Sequence, residues 1–147
     1  MGTRSYYNKS LLLLLGLLFS VLVSKCSAKT TVHLQNDIEG YEVALDIHCM
    51  SNDDDLGNHL LHQGDEWHWD FGEAFSHTHF WCECRWYDNW DYHWKNGTFE
   101  VFDRSTFHDK YFDFCLDNCH YSARRDGFYL YREDKYEWQK RNDWQVE

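Results

Sequence analysis

Cysteines are the residues of this chain whose chemistry depends most on the compartment. The 147-residue sequence contains six of them. Five follow residue 28, at positions Cys49, Cys82, Cys84, Cys115 and Cys119. In an oxidising compartment such thiols form disulfides, and an odd count leaves one over. We therefore expect at most two bridges and one spare thiol in the folded part of the chain.

Histidines could supply metal ligands, and the sequence contains ten of them. His77 and His79 are two residues apart, as are Cys82 and Cys84, so the members of each pair point the same way if the segment is a strand. A structural zinc site instead uses ligand pairs with spacings such as C-x₂-C, which the sequence lacks. We predict no metal ion and no cofactor.

The run Asp53-Asp54-Asp55 has the oxygen ligands that calcium prefers. It lacks the alternating spacing of a calcium-binding loop, and no distal glutamate completes it. We therefore predict a solvated turn at residues 51–57, in which carboxylates cap backbone N–H groups and Gly57 supplies a positive φ.

Catalytic signatures are missing from the sequence. It contains neither a G-x-S-x-G elbow nor an H-E-x-x-H pair. A secreted ribonuclease would need two positioned histidines and a cation for the phosphate, and the formal net charge of −11 opposes an RNA substrate. We predict that the chain is not an enzyme. A secreted, nuclease-like hydrolase remains the alternative, and a cleft where histidines converge would indicate it.

The first 28 residues have the pattern of a secretory signal peptide. Arg4 and Lys9 precede an apolar run at residues 11–23, which is shorter than the roughly 20 residues that span a bilayer. Small side chains near Ala28 predict cleavage between Ala28 and Lys29. Removal of the signal peptide would change the formal net charge of the chain to −14. A chain this acidic repels nucleic acid and anionic lipid, so we expect neither as a partner, and no membrane insertion.

Residues 29–147 form one predicted domain with a period-2 alternation of apolar and polar side chains. Two segments each place four alternating residues on one predicted face. They are Val43, Leu45, Ile47 and Cys49 in the first segment, and Phe80, Cys82, Cys84 and Trp86 in the second. Such segments predict about eight strands, with hairpin turns such as Asp126-Gly127. One polar, solvent-exposed face per strand indicates antiparallel sheets. Two such sheets must pack together to cover their apolar faces. The predicted fold is an all-β, antiparallel two-sheet sandwich.

Trp90, Tyr92 and Trp94 stand in a polar connection predicted for residues 88–97. Exposed loop aromatics are the usual anchors of a protein interface, which makes this segment the candidate partner-binding loop. The alternative is simple packing over the end of the sandwich. Asn96-Gly97-Thr98 is an N-glycosylation sequon, predicted to lie in a turn.

Five blocks of sequence together resemble a known family. They are H-C-x-S-x-D-D-D-L-G at residues 48–57, W-x-W-x-F at 67–71, F-W-C at 80–82, the paired cysteines at 115–119 and D-G-x-Y at 126–129. In this order they are similar to the plant self-incompatibility S-protein homologues, which are secreted relatives of the stigmatic self-incompatibility protein of poppies. The resemblance covers residues 31–138.

The resemblance implies a β-sandwich and a secreted ligand, recognised by a cell-surface receptor protein, in self-incompatibility or other cell–cell signalling. We expect a monomer. An apoplastic defence protein is a further alternative, disfavoured by the lack of a basic surface.

The resemblance also implies which four cysteines form bridges, because Cys49, Cys82, Cys115 and Cys119 match the family's pattern. Cys115 and Cys119 are close in sequence, so we expect each of them to bond to a distant strand. The pairing we predict is the nested one, Cys49–Cys119 with Cys82–Cys115. Cys84 departs from that pattern and is predicted to be a buried, inert thiol. Its alternative role is an intermolecular bridge.

Overall fold

A computed structural model describes residues 29–72, 78–103, 115 and 118–147. The predicted signal peptide, with Ala28, and His77 lie outside these residues. The ten strands of the described part are β1 (Lys29–Asn36), β2 (Ala44–Ser51), β3 (Asp55–His62), β4 (Glu66–Gly72), β5 (His79–Asp88), β6 (His93–Asp103), β7 (Asn118–Arg124), β8 (Gly127–Arg132), β9 (Glu137–Asn142) and β10 (Gln145–Val146). In this part of the chain no helix has the length and apolar character to cross a membrane.

The strands form two five-stranded sheets, so the predicted two-sheet β-sandwich is confirmed. The first sheet has the order β4-β1-β7-β8-β9, and the second has the order β10-β6-β5-β2-β3. Neighbours are antiparallel except β1 and β7, which are parallel. A parallel pair needs a long connection between its strands, and here β2 to β6 lie within that connection.

The predicted count of about eight strands is wrong. The turn predicted for residues 51–57 is shorter and runs from Ser51 to Asp54, where the Ser51 N–H donates to the Asp54 carbonyl at 2.7 Å. β3 begins at the next residue, Asp55. The charged tail supplies β9 and β10, because its backbone finds partners along β8 and β6.

Alternating apolar side chains fill the space between the sheets. Phe80, Cys82, Cys84 and Trp86 all point inward from β5 and are buried. Phe99 of β6 stacks on Phe128 of β8, with ring centroids 4.3 Å apart. Because a one-residue slip would turn each strand's apolar set toward solvent, this core fixes the register of both sheets.

Trp144 closes one side of the core near the end of the chain. Its ring lies 5.2 Å from Phe99 and 6.0 Å from Trp86, measured between centroids. Its indole Nε1 donates to the Arg124 carbonyl at 2.7 Å. An aromatic ring with its polar atom satisfied is a stable cover for an apolar edge.

The predicted pairing of the cysteines is wrong. The disulfides are Cys49–Cys82 and Cys115–Cys119. The prediction assumed that each bridge joins distant strands. Cys49 of β2 and Cys82 of β5 are instead direct cross-strand partners with Cα atoms 4.0 Å apart, and Cys115 and Cys119 have Cα atoms 4.9 Å apart. Both separations are short enough for a direct bridge, so each cysteine bonds to a near neighbour and no bridge joins one pair to the other.

Among the cysteines that the structure describes, Cys84 is the one that remains a thiol. It is 2% exposed in the core. Burial raises the pKa of the thiol well above its usual range, and the negative charges of Asp46 and Glu83 add to this effect. A neutral buried thiol is a poor nucleophile and behaves as a small apolar side chain.

Candidate functional site

Three connections meet at one end of the sandwich. They are the β1–β2 turn (residues 37–43), the β5–β6 hairpin (89–92) and the β7–β8 hairpin (125–126), and we call them together the loop end. Asn89 donates from its side-chain amide to the Tyr41 carbonyl at 2.9 Å. Arg125 donates from Nε to the Glu39 carbonyl at 2.9 Å. These contacts join connections that are far apart in sequence into one surface.

Buried polar contacts fix the first connection of the loop end. Asn36, which is fully buried at the end of β1, donates to the Leu61 carbonyl at 2.8 Å. Its side-chain oxygen accepts from the Ile38 N–H at 3.0 Å. Asp37 donates from its backbone N–H to the Ala123 carbonyl at 2.9 Å. The turn is therefore held at its base by hydrogen bonds to β3 and β7.

A buried carboxylate lies directly beneath the loop end. Asp88, which ends β5, is 1% exposed. Lys95 of β6 approaches it with Nζ 2.6 Å from Oδ2, and Arg125 binds Oδ1 through its guanidinium. Oδ1 also accepts from the Trp90 N–H at 3.0 Å and from the Asp91 N–H at 3.3 Å. We call Asp88, Lys95 and Arg125 the charge cluster.

The charge cluster sets the protonation state of its carboxylate. Burial acts to raise the pKa of Asp88, but hydrogen bonds from Lys95, the Trp90 N–H, Arg125 and the Asp91 N–H oppose it. Together they hold the pKa well below its usual range. The ionised carboxylate therefore ties the β5–β6 and β7–β8 hairpins to each other.

Large aromatic side chains stand exposed above the charge cluster. Trp90 is 59% exposed, Tyr92 is 76% exposed and Tyr41 is 80% exposed. The guanidinium of Arg125 lies over the Trp90 ring, 3.5 Å from its centroid. Such a cation–π contact fixes the orientation of the indole while leaving much of it accessible.

The structure divides the three residues that the sequence placed in one loop. Trp90 and Tyr92 lie in the β5–β6 hairpin. Trp94 belongs to β6, where it faces outward beside Tyr87, with ring centroids 5.3 Å apart, and beneath the Arg85 guanidinium at 4.3 Å. All three side chains are at least 43% exposed.

Sequence reasoning missed two contributors to the loop end. Tyr41 is an exposed aromatic in a short polar turn, next to Glu42, whose φ is 52°. An aromatic at such a position was the available signal. Arg125 carries no local signal, because its role depends on Glu39, Asp88 and Trp90, all more than 30 residues away in sequence.

The sequon is not in a turn as predicted, because Asn96 lies within β6. Its side-chain amide donates to Glu147 Oε1 at 2.7 Å, beside the Arg85–Glu147 ion pair of 2.6 Å. Glycosylation of Asn96 stays a prediction, and it would require the amide to leave Glu147. Loss of mass on peptide-N-glycosidase treatment, absent from Asn96→Gln, would test it.

The acidic run has partners within its own turn and on the two strands that the turn joins. Ser51 Oγ accepts from the Asp54 N–H at 2.9 Å, and Asp55 Oδ1 accepts from the Gly57 N–H at 2.9 Å. Asp55 also lies 2.6 Å from His48 Nε2. Gly57 has the predicted positive φ, at 79°. These contacts match the capped turn that the sequence predicted.

Three histidines converge on the outer face of the first sheet. His68 of β4, His33 of β1 and His120 of β7 are direct neighbours across the strands, and we call them the histidine row. Glu66 Oε1 lies 2.9 Å from His33 Nδ1, and Asp70, on the same face of β4, pairs with Lys29 at 2.6 Å. A polyanionic substrate would meet negative charge there, so the position does not favour a nuclease.

Comparisons with known proteins agree on one family. The family described as plant self-incompatibility protein S1 matches residues 31–144. The chain is 36% identical to S-protein homolog 24 of Arabidopsis thaliana over 106 residues, which cover 71% of this chain and 62% of that protein. It is 41% identical to S-protein homolog 2 of the same plant over 61 residues, covering 41% and 37%.

A poppy protein is also among the relatives. The chain is 29% identical to self-incompatibility protein S1 of Papaver rhoeas over 97 residues, which cover 65% of this chain and 64% of that protein. The matched part therefore spans less than two thirds of the length of each of these relatives.

Proposed function

Because this chain belongs to the plant self-incompatibility protein S1 family, we propose that it is a secreted, non-enzymatic signalling ligand that a cell-surface receptor protein binds at the loop end. The observation that carries the proposal is a group of exposed aromatic side chains on loops that a buried charge cluster holds in place. A role in rejection of self pollen or in another cell–cell signal is compatible with this surface.

Rigid aromatic anchors suit protein recognition. Trp90 and Tyr92 are exposed, and tryptophan and tyrosine are over-represented among the residues that dominate binding energy at interfaces. Because the hairpin is fixed through Asp88, binding would require little ordering of the loop, and less ordering costs less affinity.

Charge supports the same class of partner. The chain carries a formal net charge of −11, and −14 without the predicted signal peptide. A negative ligand associates fastest with a positive surface, so we propose a receptor whose docking site is basic around an apolar centre.

Secretion is part of the proposal and has a direct test. Expressed in plant cells with its own leader, the protein is expected in the medium with Lys29 as its first residue. Retention in the cell as the full-length species would contradict secretion.

Saturable binding to intact plant cells tests the ligand role. Labelled protein should bind to pollen or leaf protoplasts of its source plant, and prior protease treatment of the cells should abolish binding. We expect Trp90→Ala to weaken binding at least tenfold, because such an anchor typically contributes about 2 kcal/mol or more.

Tyr92 and Tyr136 provide a matched pair of variants for that assay. Both are exposed tyrosines with positive φ, 60° and 54°, but Tyr136 lies in the β8–β9 connection, outside the loop end. Tyr92→Gly should weaken cell binding, and Tyr136→Gly should leave it unchanged. Equal loss in both variants, or binding that does not saturate, would contradict the proposal.

A further inference from the structure

The histidine row lies on a regular, accessible part of the first sheet. His33 is the cross-strand partner of His68 on one side and of His120 on the other. The ring centroids of His33 and His68 are 5.3 Å apart, and those of His33 and His120 are 4.3 Å apart in a stacked arrangement. β4 is an edge strand, so His68 and its neighbours are open to solvent from the side.

Glu66 completes a group of three potential ligands with His33 and His68. It is two residues from His68 on β4, so both side chains project from the same face. Its Oε1 lies 2.9 Å from His33 Nδ1 and 4.0 Å from His68 Nδ1. One ligand atom from each residue lies within 4.8 Å of the other two.

The chemistry of these donors selects a class of cation. Two imidazole nitrogens and one carboxylate oxygen are the donor set that zinc accepts with three protein ligands, leaving a fourth position to water. Calcium and magnesium prefer sites made of oxygen alone. Ligand atoms around a tetrahedral zinc ion lie roughly 3.3 Å apart, given Zn–N distances near 2.0 Å. Modest side-chain rotation reaches that spacing, since His68 and Glu66 are exposed.

We propose that His33, Glu66 and His68 form a surface binding site for a divalent transition-metal ion of the zinc class. His33 is held in position by the His120 ring stacked against it, and His68 and Glu66 close on the ion from the edge strand. His120 is a positioning residue in this site.

A second group on the second sheet provides an internal comparison. His79, Glu100 and Asp103 also bring one ligand atom each within 4.8 Å of the others. This group has one imidazole and two carboxylates, so it is less suited to zinc than a group with two imidazoles. The site of the histidine row should therefore bind zinc first.

Calorimetric titration of the metal-free secreted protein with zinc chloride tests the proposal. We expect one tight zinc ion per chain and no comparable heat with magnesium or calcium chloride. His68→Gln should weaken zinc binding at least tenfold, because one of three protein ligands is lost, while His62→Gln, an exposed histidine on β3, should not change it.

Two further measurements distinguish the site in the histidine row from the group formed by His79, Glu100 and Asp103. Glu100→Gln should leave the tight zinc site intact, and histidine ring signals in NMR spectra should shift first at His33 and His68. A tight site lost in Glu100→Gln but kept in His68→Gln would overturn the proposal. No zinc binding at micromolar concentration by a protein with native circular dichroism would overturn it as well. Neither result bears on receptor binding at the loop end.

Discussion

The loop end and the histidine row are two polar regions that differ in how far their charged groups are exposed to solvent. At the loop end, Asp88 is 1% exposed and its oxygens are taken up by Lys95, Arg125 and two backbone N–H groups. In the histidine row, the side chain of His68 is 59% exposed, and Glu66 is 41% exposed. One network is closed inside the protein, and the other is open to solvent.

The difference suggests how each region contributes to function. A closed network cannot offer its charges to a partner, so its effect is to hold the surface above it, which here carries Trp90 and Tyr92. An open group of imidazoles and a carboxylate can itself bind a ligand. Stability should therefore depend on the charge cluster, and ligand chemistry on the histidine row.

The largest expected effect comes from removing the carboxylate of the charge cluster. Asp88→Ala leaves Arg125 and Lys95 without their partner, and losing one member of a buried ion pair costs about 3 kcal/mol when the remaining charges keep some solvent contact. Urea unfolding should show this loss of unfolding free energy. Asp91→Ala, which removes an exposed partner of Lys95, should cost less than about 1 kcal/mol.

The same unfolding experiment tests whether the histidine row contributes less to stability than the charge cluster does. His68→Gln is an exposed substitution and should change the unfolding free energy by no more than about 0.5 kcal/mol. A loss in His68→Gln as large as that in Asp88→Ala would mean that the two regions do not differ as described.

Acid should weaken the loop end in a predictable way. Because the pKa of Asp88 is depressed in the folded protein, the unfolded chain binds the proton first as pH falls. The stability due to this carboxylate is complete above the unfolded pKa near 3.9 and is lost at lower pH, by at most about 1.4 kcal/mol per pH unit.

The variant Asp88→Asn isolates this contribution. The difference in unfolding free energy between the natural protein and Asp88→Asn should stay constant between pH 5 and pH 7 and should shrink below about pH 4. A difference that is independent of pH down to pH 2 would show that the carboxylate is not held ionised by its neighbours.

A small effect is also expected from the backbone of the exposed hairpin. Tyr92 has φ of 60°, a conformation that costs a side-chain-bearing residue about 1 kcal/mol, and glycine avoids that cost at the expense of chain entropy. Tyr92→Gly should therefore leave the unfolding free energy unchanged or raise it by up to about 1 kcal/mol. A large destabilisation, measured in the same urea experiment, would mean that the Tyr92 side chain supports the fold rather than a partner's surface.

Most of the strands follow from sequence because their patterning is local. The alternation in β5, from Phe80 to Trp86, predicts the buried face that the structure has. The tail, rich in charge, gives no such pattern, and β9 and β10 form because β8 and β6 offer them partners. Strand pairing over long sequence separations is a tertiary property that a single segment does not record.

The disulfide pairing and the loop end both depend on contacts between segments that are distant in sequence, which limits how far either can be predicted. The cysteines' membership of a disulfide framework was predictable, but the pairing depends on which strands become neighbours, and β2 lies beside β5. Trp90 and Tyr92 were identified because aromatic residues stood out among polar ones. Arg125 was missed because it joins the site only through the packing of distant connections. Tyr41 was missed although an aromatic residue in a polar turn was an available local signal.

Photo-crosslinking on intact cells tests most directly whether the loop end is the recognised surface. A photoreactive p-benzoylphenylalanine in place of Tyr92 is compared with the same group in place of Tyr136 or His68. The account predicts one saturable crosslink to a cell-surface protein from position 92, competed by unlabelled natural protein, and none from positions 136 and 68. A competed crosslink from position 136 or 68, with none from position 92, would contradict it.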